Sequence, residues 1–169
     1  MYAINPGTRR RLLTALPAAC LLLAAGACNR SHTVTTSDGK VTYQEKGKDA
    51  GTVTVTGKDG KTATVDFNQG KIPNDYPKDV PVYSGKVVMA QSFSEKNARN
   101  LMLESSDTAD KIAEFYKKEL ERSGWKTETT VATTGMNMIG ANKGAKQIMI
   151  QITDSGEKRS IMQVLTDKD

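Results

Sequence analysis

The sequence predicts an α+β fold, a small β-meander followed by an antiparallel sheet carrying one packed helix in the order β-β-α-β-β-β-β. Three observations predict it. Residues 33–68 alternate apolar and polar side chains around two Asp-Gly pairs. Residues 107–124 are the one stretch with helical periodicity. After Trp125 the chain returns to strand-length alternation broken by glycine turns. One helix among many strands is read as a helix on an antiparallel sheet.

The elements follow in order. Thr33-Val34-Thr35-Thr36 and Val41-Thr42-Tyr43-Gln44-Glu45 flank Asp38-Gly39, and Thr54-Val55-Thr56 and Thr62–Phe67 flank Asp59-Gly60. Asp-Gly between alternating segments is a strong hairpin signal, because glycine takes the positive φ of a tight turn. Residues 33–69 are therefore two related hairpins, too small to bury much alone. Residues 70–85 hold Pro73, Pro77 and Pro81, a spacing that disfavours helix and central strand alike. They form an extended connector offering Ile72, Tyr76, Val80, Val82 and Tyr83 for packing on the unit 86–169.

In that unit, Lys86–Phe93 and Arg99–Ser105 are strands, with Leu101 and Leu103 on one face and Met102 on the other. Ser106 or Asp107 caps the helix, and Asp107 and Asp110 suit its positive end. Ala109, Ile112, Ala113, Tyr116 and Leu120 form its apolar stripe, widened by Phe115. Gly124 stops it, and Trp125 falls where it can fold back on Leu120. Residues 126–133, 136–142, 146–153 and 160–166 complete the sheet, with Ile148, Ile150 and Ile152 marking its most buried strand.

The first 28 residues carry location. Arg9-Arg10-Arg11 precede an apolar run and the small residues Ala25-Gly26-Ala27, which end at Cys28 and polar Asn29. That is a basic head, an apolar middle and a cleavage site. It resembles a bacterial lipoprotein signal: residues 1–27 would be removed and Cys28 would carry the lipid, with 28–32 as a tether. Cys20 is the rival position, but Leu21-Leu22-Leu23 would then begin the mature chain. The apolar run Leu12–Ala27 is shorter than the roughly 20 residues a membrane span needs. A released, secreted product and export by the twin-arginine route, from Thr8-Arg9-Arg10-Arg11-Leu12-Leu13, are the alternatives. Asn29 after the cysteine leans the expectation to the periplasmic face of the outer membrane.

Composition excludes more than it identifies. Cleavage leaves 142 residues with 21 basic and 19 acidic side chains, mixed throughout, against +5 for the whole chain. No basic stripe points to nucleic acid. With Cys20 removed and Cys28 lipidated, the folded part has no thiol, and His32 is the only histidine. This argues against Ser-His-Asp or Cys-His catalysis and against zinc sites built on cysteine or several histidines. Gly57-Lys58-Asp59-Gly60-Lys61 is a hairpin tip with no helix after it, so no nucleotide loop is present. No cofactor is expected.

Three constellations remain. Glu104, Asp107 and Asp110 gather near the helix start, and paired carboxylates could serve a hydrolase of cell-wall or glycan material, although capping and solvation account for such acids far more often. Met136-x-Met138 has thioether spacing suited to a soft metal such as Cu(I), with Met89, Met102, Met149 and Met162 as possible neighbours, although two such residues equally suit a core wall. Lys117, Lys118, Tyr116 and Trp125 could make a polyanion or glycan surface, although the helix stripe and helix closure account for both aromatics.

Tyr76-Pro77-x-x-Val80-Pro81-Val82-Tyr83-x-Gly85 and Phe115-Tyr116-Lys117-x-x-Leu120-x-x-x-Gly124-Trp125 together resemble a set of small, uncharacterised bacterial envelope lipoproteins. These carry a P-V-Y-P-G segment and an F-Y-x-x-x-L-x-x-x-G-W helix end. The resemblance spans roughly residues 72–166 and departs at Ser84, where that pattern has proline. It implies a fold and a location and carries no functional residue. The expectation is a lipid-anchored, non-enzymatic envelope protein that binds another envelope protein, a polysaccharide or a small ligand, touching the membrane through Cys28, with the carboxylate hydrolase as the alternative.

Overall fold

In the computed structural model, which describes residues 30–167, the expected separation of meander and α+β unit gives way to one sheet. Ten antiparallel strands hydrogen-bond in a single continuous order: β1 (Ser31–Thr36), β2 (Gly39–Glu45), β3 (Gly51–Gly57), β4 (Thr62–Phe67), β5 (Lys86–Phe93), β6 (Ala98–Ser105), β10 (Lys158–Asp167), β9 (Lys146–Ser155), β8 (Met136–Lys143) and β7 (Lys126–Thr133). Of the described residues 57% are strand and 12% helical, so the molecule is all-β in character rather than α+β. The meander is not a separate layer because β4 pairs with β5 from Ala63↔Phe93 to Phe67↔Met89. The proline-rich connector leaves the sheet after β4 and returns the chain to the adjacent position. A single 14-residue helix, α1 (Ala109–Arg122), cannot form a second layer across ten strands.

The second topological departure is β10. It lies between β6 and β9 and pairs with both over nearly its whole length. The last described strand therefore sits inside the sheet, while β1 and β7 form its edges, both exposed along their full lengths. β1 begins at Ser31, inside the expected tether, and His32 pairs with Tyr43 instead of lying in a loop.

Helix α1 crosses one face of the sheet, against β7, β8 and β9. Ile112, Tyr116 and Leu120 are fully buried against Ile139, Ile148, Ile150, Ile152 and Ile161. Its N-cap is Thr108 rather than Ser106 or Asp107, since the Thr108 side chain accepts from the Lys111 amide at 3.4 Å. The C-terminus closes as its residues dictate. Gly124 takes φ +78°, its amide donates to the Glu121 carbonyl, and the Trp125 amide reaches back to the Leu120 carbonyl at 2.9 Å. This is the bond pattern of a Schellman stop, and it leaves Trp125 buried over the sheet.

The connector completes that face. Tight turns at Pro73–Tyr76 and Pro77–Val80 fold Tyr76, Val80 and Tyr83 into the core, while Ile72 stays outside at 41% exposure. Trp125 Nε1 donates to the Asp79 carbonyl, and the Asp79 carboxylate meets Lys143 and Lys146 at 3.1–3.2 Å. Beneath lies Gln163 of β10, fully buried and fully partnered. It accepts from the Tyr76 hydroxyl at 2.6 Å and donates to the Pro81 carbonyl and the Tyr116 hydroxyl. Burial raises the Tyr116 hydroxyl to about 12, so this network stays neutral across the physiological range.

Candidate functional site

The helix-covered face is filled, and the expected sites on or near it do not assemble. Tyr116 and Trp125 are 0% and 4% exposed, so they belong to the core and present no aromatic surface beside Lys117 and Lys118. The acids at the helix start go separate ways. Glu104 pairs with Lys158 at 3.0 Å. Asp107 accepts from Lys111 at 2.7 Å and from the Tyr83 hydroxyl at 2.5 Å. The Lys111 bond, then the Tyr83 bond, hold Asp107 below the usual carboxylate range. A general acid in a glycosidase needs the opposite shift. Asp110 lies in the first turn of α1, exposed. Among the described residues, no group of three or more His, Cys, Asp or Glu side chains is placed to hold a metal.

The opposite face is a different surface. Strand alternation puts every second residue there, and register aligns those residues into cross-strand rows. One row runs Tyr43, Val53, Val65, Gln91, Asn100, Val164, Met149. A second runs Phe67, Met89, Met102, Met162, Gln151, Met138, Val131. A third runs Val34, Val41, Val55, Ala63, Phe93, Ala98. These stretches contain no charged residue.

Exposure agrees. Val34, Val41, Val55, Phe93, Val131 and Met149, between 36% and 61% exposed, all lie on this face, and Ile72 is the only other large exposed hydrophobic among the described residues. Contiguous exposed apolar surface of this kind marks interaction sites far more often than scattered single residues do. Near one end, Val55, Ala63, Phe93 and Ala98 line an open recess of about 440 Å³, bordered by the Lys61–Glu95 ion pair at 2.6 Å.

The meander explains why this face stays open. In β5–β10 the larger aliphatic side chains point toward the helix. In β1–β4 they point away from it, and the helix side carries threonines linked across strands, such as Thr54 to Thr64 and Thr33 to Thr42. Thr52 donates to Asp66 on that same polar side at 2.5 Å. The apolar side of the meander is therefore turned away from α1, and it continues onto the back of β5–β10. Gly51 gives that surface its one aromatic step. Tyr43 and Phe67 stack across it with planes 10° apart, and a Cβ at Gly51 would lie 2.9 Å from Phe67 Cζ and 3.1 Å from Tyr43 Cε2.

The methionines fall here without exception. Met89, Met102, Met136, Met138, Met149 and Met162 are all the methionines of the described residues, and strand parity places all six on the open face. Met136 and Met138 are thus not a core wall. The core is Ile, Leu, Val, Ala, Tyr and Trp, with no methionine. The spacing Met136-x-Met138 shows that the two share a face. The signal for the larger group was Met102 and Met149, each flanked by core residues within its strand.

The segment holding Ala25, Gly26, Ala27 and Cys28 lies outside the described residues. A family model described as START domain-like matches residues 87–160, less than half of the chain. No curated protein and no solved structure matches it. The matched stretch contains most of β5, then β6, α1, β7, β8, β9 and the start of β10, which is the helix-bearing part of the sheet.

Proposed function

We propose that this chain is a lipid-anchored, non-enzymatic binding protein of the bacterial cell envelope, and that it binds through the sheet face opposite the helix. The observation that carries the reading is the gathering of six large exposed hydrophobic residues on one face, along cross-strand rows without a charged residue, with Lys86, Glu104 and Lys158 on the same face at its margin. The similarity to a START-like domain supports a ligand-binding fold. The lipobox-like Ala25-Gly26-Ala27-Cys28 supports the anchor.

The partner that fits is an uncharged, apolar surface on another envelope protein. A charged polysaccharide would find no counter-charge in the rows, and desolvating its ions there would cost more than apolar contact returns. From β2 to β8 the face crosses eight strands, about 35 Å at the usual strand spacing. That width suits a protein partner. If Cys28 carries lipid, only two residues, Asn29 and Arg30, separate the anchor from Ser31, so β1 stands within about 10 Å of the bilayer.

Photo-crosslinking in living cells tests this reading. A photoreactive residue replacing Met149 or Val131 is expected to give discrete adducts with another protein, and one replacing exposed Glu121 or Lys118 on α1 is not. Adducts from the helix and none from the open face would overturn the surface assignment. Cys28→Ala is expected to move the protein out of the membrane fraction. Unchanged fractionation with an unacylated amino terminus by mass spectrometry would overturn the anchor.

A further inference from the structure

The open face carries a second feature that apolar docking does not account for. Methionine's flexibility suits an adaptable docking surface, but docking does not require three of them directly opposite one another across β5, β6 and β10, and this surface holds every methionine of the described residues while the packed core holds none. Methionine's usual structural use is to fill irregular gaps in a core. Its absence from the core and concentration outside call for a property that sulfur supplies.

Register concentrates the sulfurs further. Met89 on β5 lies directly opposite Met102 on β6, and Met102 lies directly opposite Met162 on β10. Directly opposed side chains start with their Cβ atoms about 5 Å apart. The outer two stand two strand spacings apart, about 10 Å, with Met102 between them. Each outer thioether must lean inward by less than one strand spacing, well within the freedom of a side chain with three rotatable bonds. One sulfur already has an orienting partner. Gln91 Nε2 donates to Met89 Sδ at 3.7 Å while Gln91 Oε1 accepts from Asn100 Nδ2 at 3.0 Å.

We infer that Met89, Met102 and Met162 form a thioether site for a soft monovalent metal ion, Cu(I), on the open face. Three neutral sulfurs in one cross-strand row discriminate by softness, the nearest carboxylate on that face, Glu104, being paired with Lys158 at 3.0 Å: thioethers take Cu(I), whereas Ca(II), Mg(II) and Mn(II) require oxygen donors and Zn(II) favours thiolate or imidazole. No cysteine lies among the described residues, and the one histidine, His32, stands on β1, four strands from Met89. The three thioethers therefore act without a stronger ligand, which suits an exchangeable site. Met138, Met149 and Met136 continue across β8 and β9 as secondary sulfurs. This inference depends on neither the anchor nor the protein partner.

The test is anaerobic competition for Cu(I) between the purified full chain and a chromogenic Cu(I) chelator, with Ag(I) as a redox-inert second probe. The wild-type chain is expected to withdraw a single equivalent of each ion. Met102→Leu keeps volume and apolarity, and it is expected to weaken retention about ten-fold or more, while Met136→Leu changes it by less than about two-fold. Circular dichroism melts accompany each variant, and the double variant Met89→Leu/Met162→Leu, which leaves Met102 in place, provides a second route to the same loss. X-ray absorption of the loaded protein is expected to show sulfur as the only metal neighbour. No withdrawal by the wild-type chain, equal retention by Met102→Leu, or equal losses in Met102→Leu and Met136→Leu would overturn the site.

Discussion

The two faces of this sheet are built by the same strands and obey opposite rules. On β9, Ile148, Ile150 and Ile152 are fully buried beneath α1, while Met149 between them is 43% exposed. On β6, Leu101 and Leu103 are closed in and Met102 points the other way. The covered face is branched aliphatic and aromatic, with one satisfied polar network at Gln163. The open face is methionine, valine, three aromatic rings and uncharged polar residues, with the charged residues Lys86, Glu104 and Lys158 at its margin. Rigid side chains define a unique packed core, whereas flexible thioethers can fit more than one occupant. The contrast teaches that these strands are apolar on both sides for two purposes, to fold on one side and to bind on the other.

The comparison breaks most sharply at neighbouring residues of one strand. Ile150→Ala is expected to cost about 2–5 kcal/mol of stability, the usual penalty for emptying a packed site. Met149→Ala, one residue away, is expected to cost less than about 1 kcal/mol, as partly exposed positions do. Chemical denaturation of the two variants checks the difference. Equal losses would mean that both faces are packed.

A second, smaller contrast pits one glutamine against another. Gln163→Leu leaves the Tyr76 hydroxyl and the Pro81 carbonyl without their buried partner and is expected to cost about 1–3 kcal/mol. Gln151→Leu on the open face loses only a 3.3 Å contact to Thr153 and is expected to change stability by no more than about 0.5 kcal/mol. Thermal melts of both variants decide it.

The covered face also has a pH signature. Burial, then the bond to Asp107, raises the Tyr83 hydroxyl to about 12, and burial raises Tyr116 to about 12, against an ordinary 10.0. Above pH 10 the unfolded chain releases these protons while the folded chain keeps them, so the unfolded state gains. Stability is therefore expected to be unaffected by these groups below pH 10 and to fall between pH 10 and 12. Tyr83→Phe is expected to flatten that fall, and denaturation midpoints across the range measure it. The smallest expected effect is at the helix start. Thr108→Ala removes the N-cap and is expected to cost about 1 kcal/mol, whereas Ser106→Ala, at the position first read as a cap, is expected to cost no more than about 0.5 kcal/mol.

What the sequence made legible was local. Asp38-Gly39 and Asp59-Gly60 identified the hairpins, and Gly124-Trp125 identified the helix stop, because a turn is fixed by the residues in it. Alternation also showed that Leu101 and Met102 take different faces. It could not show which strand edges meet. The pairing of β4 with β5 spans an 18-residue excursion between Phe67 and Lys86, and the insertion of β10 between β6 and β9 joins segments more than 50 residues apart. Both contacts are tertiary, as is the folding of Tyr76, Val80 and Tyr83 into the core, and none of these has a local signature. The methionine rows were illegible for the same reason. Met89, Met102 and Met162 become neighbours only once those pairings are known, and Met136-x-Met138, the pair visible in sequence, lies toward the margin of the group.

Oxidative footprinting of the six methionines, on the purified chain and on the same chain in intact cells, tests the central claim most directly. If the face opposite the helix is open and serves for binding, all six will form sulfoxides readily in the purified protein, with Met149 among the fastest, and will be protected together in the cell. Slow oxidation in the purified chain would place them in a packed interior. Equal rates in both settings would show that nothing occupies the face where the protein works.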